Sequence, residues 1–325
     1  MSKTSLSFLI LAVTALLVIS VCFTGCTTTP SQPATTTTTV TPAPTETGAK
    51  QKVLLATTTS LYDTGLLDYL KPKFEQMYNV DLLITSQGTG KAIELAKNGD
   101  ADILMVHSPA QEKAFIDGGN GINPRCFAYN YFVIVGPAND PAGIRNMSPL
   151  DAMAKLRELG VKNTPGVMFA SRGDNSGTHS AEKGLWSGAK FNYTNDIQKS
   201  GVWYIEAGRG MGETLQLANE KQAYTLSDIG TYLAYEGDLD LVPIVDQGDA
   251  LLNRYTVMTV YNANQPAEKI DIANKFVDFM ISQQTQSDIG NFGVAEYGQA
   301  LFSPMDGQCA RFSCDCTSPA TATTA

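Results

Sequence analysis

Short apolar runs alternate with amphipathic stretches along most of the chain, at the spacings of strand and helix. Val53-Leu54-Leu55-Ala56 is an unbroken apolar run and predicts a buried strand, whereas Leu66 to Met77 carries its apolar residues at helical spacing. Val80 to Ile84 predicts a second strand, Lys91 to Asn98 a short helix, and Asp102 to Val106 a third strand. Tyr131 to Gly136 is a further strand, and the turn-rich run Pro137 to Gly143 marks a crossover into a second unit. That unit carries strands at Val167 to Ala170, Trp203 to Glu206 and Ala223 to Leu226. Leu241 to Val245 and Tyr255 to Val260 bring the chain back, and the helix Ala267 to Ser282 closes it. The alternation predicts an α/β fold with a mostly parallel sheet. Two crossovers make two lobes, with strand ends aimed at the cleft between them.

The ends of the chain depart from this pattern. Leu6 to Val21 is apolar, Lys3 is the nearest charge, and the run closes on Phe23-Thr24-Gly25-Cys26, as a secretory signal ending at a lipid-modified Cys26 would. A retained membrane helix is the alternative, since the run approaches the spanning minimum of about 18 to 20 residues. Both place the body outside the cytoplasm, tethered to the outer face of the cell membrane. Thr27 to Gly48 is almost wholly Thr, Pro, Ala and Ser, a composition that buries no core and suits an extended stalk. The chain thus divides into a signal (1–26), a stalk (27–50), a first lobe (51–136 and 246–308), a second lobe (137–245) and a Cys- and Thr-rich tail (309–325).

Charge and cysteine content narrow the function. The formal net charge is −9, and the excess of acid lies almost entirely after Cys26. This excludes a nucleic-acid partner and requires any bound anion to be held by local, aimed donors. Cys126, Cys309, Cys314 and Cys316 allow three disulfide pairings in an oxidising compartment, and the sequence does not choose among them. Their spacing is not that of a zinc site, so no metal or other cofactor is expected.

Ser171-Arg172-Gly173-Asp174-Asn175-Ser176-Gly177-Thr178-His179 holds the candidate chemistry. It sets a guanidinium ahead of a Ser-Gly-Thr turn at a helix start, so that the Arg fork, two hydroxyls and free backbone N–H groups form a donor set for a tetrahedral oxyanion. Thr57-Thr58-Thr59-Ser60 adds four successive hydroxyls after a buried strand, where a helix cap needs only one. Gln87-Gly88-Thr89-Gly90-Lys91 lacks the Walker spacing, yet its glycines let backbone N–H groups approach a ligand. Gly208-Arg209-Gly210-Met211-Gly212 lacks the long spacing of a dinucleotide loop and reads as a helix start. Gly173-Asp174-Asn175-Ser176-Gly177 also invites a hydrolase reading, with Ser176 as nucleophile and His107 or His179 as base. His179 lies too close in sequence to Ser176 for comfortable general-base geometry.

These motifs carry a resemblance. Together with Gly99-Asp100-Ala101-Asp102 ahead of His107, Tyr129 to Pro137, Asp140-Pro141-Ala142-Gly143 and Tyr224 to Tyr232, they recur in order as in the tungstate-binding proteins of ABC transporters, from about Val53 to Pro304. The resemblance implies a two-lobed type II periplasmic-binding-protein fold with an interlobe cleft and no catalysis. It further implies capture of tungstate or molybdate and delivery to an ABC transporter permease. Carried over by position, the oxyanion ligands are Thr58, Thr59, Ser60 and Thr89 from one lobe and Arg172, Ser176, Gly177 and Thr178 from the other. His107 stands where phosphate binders place a carboxylate, which favours a fully deprotonated anion over phosphate. The rivals are a molybdate or phosphate carrier and, in another class, the Ser176 hydrolase. Arg209 and the Cys-bearing tail depart from the family pattern.

Overall fold

A computed structural model describes residues 49–305, 307–310 and 314. The signal, Cys26, nearly all of the stalk and most of the tail lie outside the described residues. The chain opens with β1 (Gln51–Thr58), α1 (Thr59–Tyr62), α2 (Leu66–Tyr78), β2 (Val80–Gln87), α3 (Thr89–Asn98), β3 (Ile103–Val106) and α4 (Pro109–Asp117). The long strand β4 (Gly121–Pro137) leads to α5 (Pro149–Val161), β5 (Phe169–Ser171), α6 (Gly177–Gly188), β6 (Tyr204–Glu206), α7 (Met211–Lys221), β7 (Tyr224–Asp228) and α8 (Ile229–Tyr235). β8 (Leu241–Val245), β9 (Leu252–Val260), α9 (Ala267–Ile281), α10 (Gln283–Asn291), α11 (Val294–Tyr297) and β10 (Ser303–Pro304) complete it.

Local rules account for these elements. α2 buries Leu66, Leu67, Leu70 and Phe74 along one face and ends at Asn79, whose φ of 53° adopts the left-handed cap. α5 begins at Ser148, whose hydroxyl accepts the Asp151 N–H, with Pro149 in the first turn. β1 is buried throughout its second half, up to the hydroxyl-bearing residues at its end.

The strand order β2-β1-β3-β9-β4-β7-β5-β6 shows a mixed sheet, not the mostly parallel one that the alternation predicts. β1 pairs in parallel with β2 and β3, and β5 with β6 and β7, but β9 and β4 enter the middle antiparallel. The first half of β4 is hidden in the sequence by the turn-like Asn123-Pro124-Arg125. In the fold, the register shifts between Ile122 and Arg125, and Asn123 takes a φ of 52°. Gly121 to Tyr131 pair with β9, whereas Phe132 to Pro137 pair with β7 and β8. By strand pairing the chain therefore changes sheets inside β4, ahead of the Pro137 boundary read from the sequence.

Each half of the sheet has its own core. Leu55, Phe74, Phe127, Tyr255 and Phe276 pack together in the first half. Phe169, Trp186, Trp203 and Tyr224 do so in the second. Alternate residues of β4, Phe132 and Ile134 against Val133 and Val135, belong to different clusters, as the pleat requires. Each such side chain contributes about 1.5–3 kcal/mol by leaving water. Cys126 of β4 forms a disulfide with Cys314, selecting one of the pairings left open by the sequence. No described helix is long and apolar enough to cross a membrane.

One contact in the second core makes a stability prediction. A Cβ on Gly160 of α5 would lie 2.2 Å from Trp203 Cδ2, and both residues are buried. Gly160→Ala should therefore lower unfolding free energy by about 1–3 kcal/mol through overpacking. Guanidinium denaturation measures it, and an unshifted midpoint would show that α5 can move away from Trp203.

Candidate anion-binding site

Arg172 follows β5 directly and is buried, with 2% of its side chain exposed. Its Nη2 donates to Asp174 Oδ2 at 2.6 Å and to Thr59 Oγ1 at 3.3 Å, so it joins the loop after β5 to the start of α1. Nε and Nη1 are buried with no hydrogen-bond partner among the described residues. A buried guanidinium with two idle donors is costly, on the order of 1–3 kcal/mol for each unmade bond and more for a charged group. The hydroxyls of Thr89 and Thr178 are in the same condition, buried and without a partner among the described residues. Thr59 accepts from Arg172, which leaves its own proton free to donate.

The loops that carry these groups meet closely. A Cβ on Gly88 would lie 3.4 Å from Asp174 Oδ2 and 3.9 Å from Ser176 Cβ, and one on Gly177 would lie 2.6 Å from His107 Nε2. Glycine is thus required at 177, where a side chain would strike the imidazole, whereas the space at 88 would admit one in ordinary contact. Around Thr59, Gly88 and Arg172 opens a pocket of about 250 Å³, with Lys91 and Arg209 also on its wall. Arg209 is exposed and 3.9 Å from Glu213, so it adds a screened rim charge.

The helix starts add backbone donors. Ser176 caps α6 by accepting the His179 N–H at 3.2 Å, and Ser180 N donates to Ser176 O. The Gly177 and Thr178 N–H groups, first in the helix, remain outside its ladder. α3 begins at Thr89 in the same manner, with Gly88 extended ahead of it.

Besides Ser176, three of the expected ligands also bond other protein groups, and a hydroxyl that only accepts there keeps its own proton to donate. Thr58 caps α1, accepting the Leu61 N–H at 3.3 Å. Ser60 Oγ lies 3.0 Å from His107 Nε2, and His107 Nδ1 lies 2.9 Å from Asn253 Oδ1. His107 therefore stands behind Ser60 with both ring nitrogens on protein partners. Burial, reinforced by the Arg172 charge, lowers its pKa to about 4, so it is neutral.

The hydrolase arrangement does not form. His179 Nδ1 accepts the Asn175 N–H at 2.9 Å and its Nε2 lies 2.8 Å from Tyr193 OH. Neither imidazole directs a ring nitrogen to Ser176, so the hydroxyl has no base.

Acidic partners of the site are legible only in part. Asp174 stands in the Arg172 motif, where it both pairs with Arg172 and accepts the Ser176 N–H at 3.1 Å. Asp228 at the end of β7 is fully buried, with both oxygens on Thr231. Burial raises its pKa while Arg172 opposes the rise. Its Ser227-Asp228-Ile229-Gly230-Thr231 context signals a helix cap, but nothing local reveals the nearby guanidinium. Asn253 lies in no motif, and Asn130, inside the Tyr129 to Pro137 stretch, carries no local sign of its role.

A buried network stiffens the loop from behind. Glu182 of α6 accepts from Ser171 Oγ at 2.6 Å, Trp186 Nε1 at 2.9 Å and Tyr204 OH at 2.6 Å. Gly173 has a φ of 60°, and a Cβ there would meet Glu206 Cβ at 2.7 Å, so Arg172 is held by a turn that only glycine fits.

A model of the PBP superfamily domain matches residues 29–284. The chain belongs to the PBP superfamily. Tungstate-binding protein TupA of Peptoclostridium acidaminophilum is 38% identical over 292 residues, covering 90% of this chain and 96% of the relative. A solved structure of the tungstate-binding protein TupA from Desulfovibrio alaskensis G20 is 43% identical with a TM-score of 0.64, covering 78% of this chain and 98% of that one. A tungstate ABC transporter structure from Geobacter sulfurreducens is 40% identical with a TM-score of 0.65, covering 75% and 100%. The PBP member described here is accordingly an extracytoplasmic substrate-binding protein of type II fold, not an enzyme.

Glu182 gives the site a pH signature. Burial raises its carboxyl to about 7 from 4.5, against the three donors that favour the charged form. The folded state then holds a proton that the unfolded state has released, so this contribution to stability is lost as pH rises from about 4.5 to 7. Glu182→Gln does not titrate, and its melting temperature should decline less than the parent's between about pH 5 and 8. Parallel slopes in thermal denaturation would mean that Glu182 is ionised throughout.

Proposed function

We propose that this protein captures tungstate on Arg172 and passes it to the permease of an ABC transporter. The observation that carries the reading is the group of orphaned buried donors: Arg172 Nε and Nη1 with the Thr89 and Thr178 hydroxyls. The guanidinium is donor-only, and the neighbouring carboxylate of Asp174 already pairs with it. The buried carboxylate oxygens left without a partner among the described residues, on Glu112 and Asp278, do not line this pocket; its own carboxylates are Asp174, paired with Arg172, and Glu213, exposed at the rim beside Arg209. Such a site suits an oxyanion that is fully deprotonated at neutral pH and therefore only accepts hydrogen bonds. Hydrogen phosphate, by contrast, gains from a fixed acceptor. The tungstate-binding names of the relatives support the choice, and molybdate, almost the same size, is the nearest competitor.

In this reading the segments 51–136 with 246–308 and 137–245 act as two lobes that close on the anion. Thr59 and Thr89 approach from one, and Arg172, Gly177 and Thr178 from the other, with Thr58, Ser60, His107 and Ser176 holding the ligand groups in place. A lipid on Cys26 tethers the protein to the outer face of the membrane, and the 27–50 stalk lets the body reach the permease.

Titration calorimetry of the full chain against tungstate, molybdate, sulfate and phosphate tests the substrate. Tungstate should bind in a one-to-one complex and phosphate should not. Arg172→Lys should weaken tungstate binding by about 2–5 kcal/mol, because a point charge cannot reproduce the planar fork. Unchanged affinity in that variant would remove Arg172 from the site.

A further inference from the structure

A line of buried polar groups runs from the site to a backbone carbonyl, and one arrangement of protons satisfies it. Asn130 Nδ2 lies 3.3 Å from Leu301 O, and a carbonyl oxygen can only accept, so the Asn130 amide must turn its nitrogen there. Its Oδ1 then accepts from Asn253 Nδ2 at 2.9 Å, and that nitrogen also donates to Tyr255 OH at 2.8 Å. Asn253 Oδ1 is left to accept from His107 Nδ1 at 2.9 Å. His107 Nε2 consequently carries no proton, and accepts from Ser60 Oγ at 3.0 Å. The Thr58 hydroxyl completes the line, 3.4 Å from Ser60 Oγ.

We propose that Asn253 and Asn130 are positioning residues for the anion site, holding His107 as the neutral Nδ1–H tautomer so that its Nε2 draws the Ser60 proton away from the anion. This role at the anion rests on the oxyanion reading, whereas the tautomer rests on the hydrogen bonds alone. Asn130 and Asn253 are register partners across β4 and β9, beside the point where β4 leaves one sheet for the other. The imidazole is stacked on Tyr255 at 4.9 Å and beside Phe132 at 6.2 Å, and Gly177 closes over Nε2. The stacking sets the plane of the ring, and the bonds to Asn253 and Ser60 set which way round it lies. Ser60 faces it from α1, Asn253 and Tyr255 from β9, Phe132 from β4 and Gly177 from α6. The charged and titratable groups that bear on it are Arg172, which opposes its protonation, and Tyr255, itself influenced by Asp228.

The second histidine is held the opposite way. His179 Nδ1 accepts the Asn175 N–H, so its proton sits on Nε2 and is donated to Tyr193 OH, which in turn donates to Glu206. The sequence contains two histidines, and the structure assigns them opposite neutral tautomers.

Long-range ¹⁵N–¹H spectra of the ligand-free full chain, labelled at histidine, test this directly. One ring should show the Nδ1–H pattern and the other the Nε2–H pattern, with neither titrating between about pH 5 and 8. His179→Gln assigns the signals. An Nε2–H pattern for His107, or titration near the free-histidine value, overturns the proposal. Asn253→Asp should move His107 titration into that range by placing a carboxylate against Nδ1–H. Tungstate affinity, flat with pH in the parent, should then fall about tenfold from pH 6 to 8.5 as the imidazolium is lost. A flat profile in a variant whose His107 does titrate would sink the positioning role. Should Asn253→Asp not fold, Asn253→Ser serves instead, and retention of the Nδ1–H pattern there would refute control by Asn253. Failure of the parent to bind tungstate would instead overturn the oxyanion reading and leave the ligand-free spectrum as the judge of the tautomer.

Discussion

A guanidinium buried away from water, with only part of its hydrogen-bonding capacity met, is the constraint around which this protein is arranged. Desolvating such a charge is tolerable only where counter-charge and donors' partners are fixed in advance. Asp174 supplies the first partner at 2.6 Å and Thr59 the second at 3.3 Å. Asp228 contributes at longer range through the field that Arg172 exerts on it. What remains unmet are two guanidinium nitrogens, together with the buried hydroxyls of Thr89 and Thr178, the donors on which the oxyanion reading rests. Preorganised donors of this kind do not need to be turned from water toward the ligand at the moment of binding.

Holding the charge there requires a stiff support. Ser171 is anchored by Glu182, which is itself surrounded by Trp186 and Tyr204 in the second core. Gly173 turns the chain in a space bounded by Glu206, and Ser176 ends the loop by capping α6. On the facing side, Ser60 is backed by His107, the stacked Tyr255 and the asparagine pair of β4 and β9. Both supports reach from the site into strands whose apolar faces are packed, so the donor geometry inherits the rigidity of the two cores.

The acidic surface and the binding of an anion are compatible for the same reason. With a net charge of −9, long-range attraction cannot gather the ligand. Local donors in a buried setting act at short range and are little screened. The exposed Arg209 lies at the rim, where its charge is weakened by water and by Glu213.

The sequence by itself determined the alternating elements, the loops at the strand ends and the residue types that make a donor set suited to an oxyanion. Those features follow from hydrophobic period and from donor chemistry packed into a few consecutive residues. Arg172 and Thr178 were legible because their motif is local, and Thr89 because two glycines mark its loop. The antiparallel centre of the sheet was not legible, since a strand's direction and register depend on partners far away in sequence, and Asn123-Pro124-Arg125 disguised β4 as a turn. Nor could the sequence show which groups of the candidate site also hold other residues. Thr58 caps α1, Ser176 caps α6, and Ser60 meets His107, which only the tertiary fold brings within 2.9 Å of Asn253. A hydrogen bond is decided by atoms a few ångströms apart, and for this layer of the site those atoms come from strands that the chain joins only after folding.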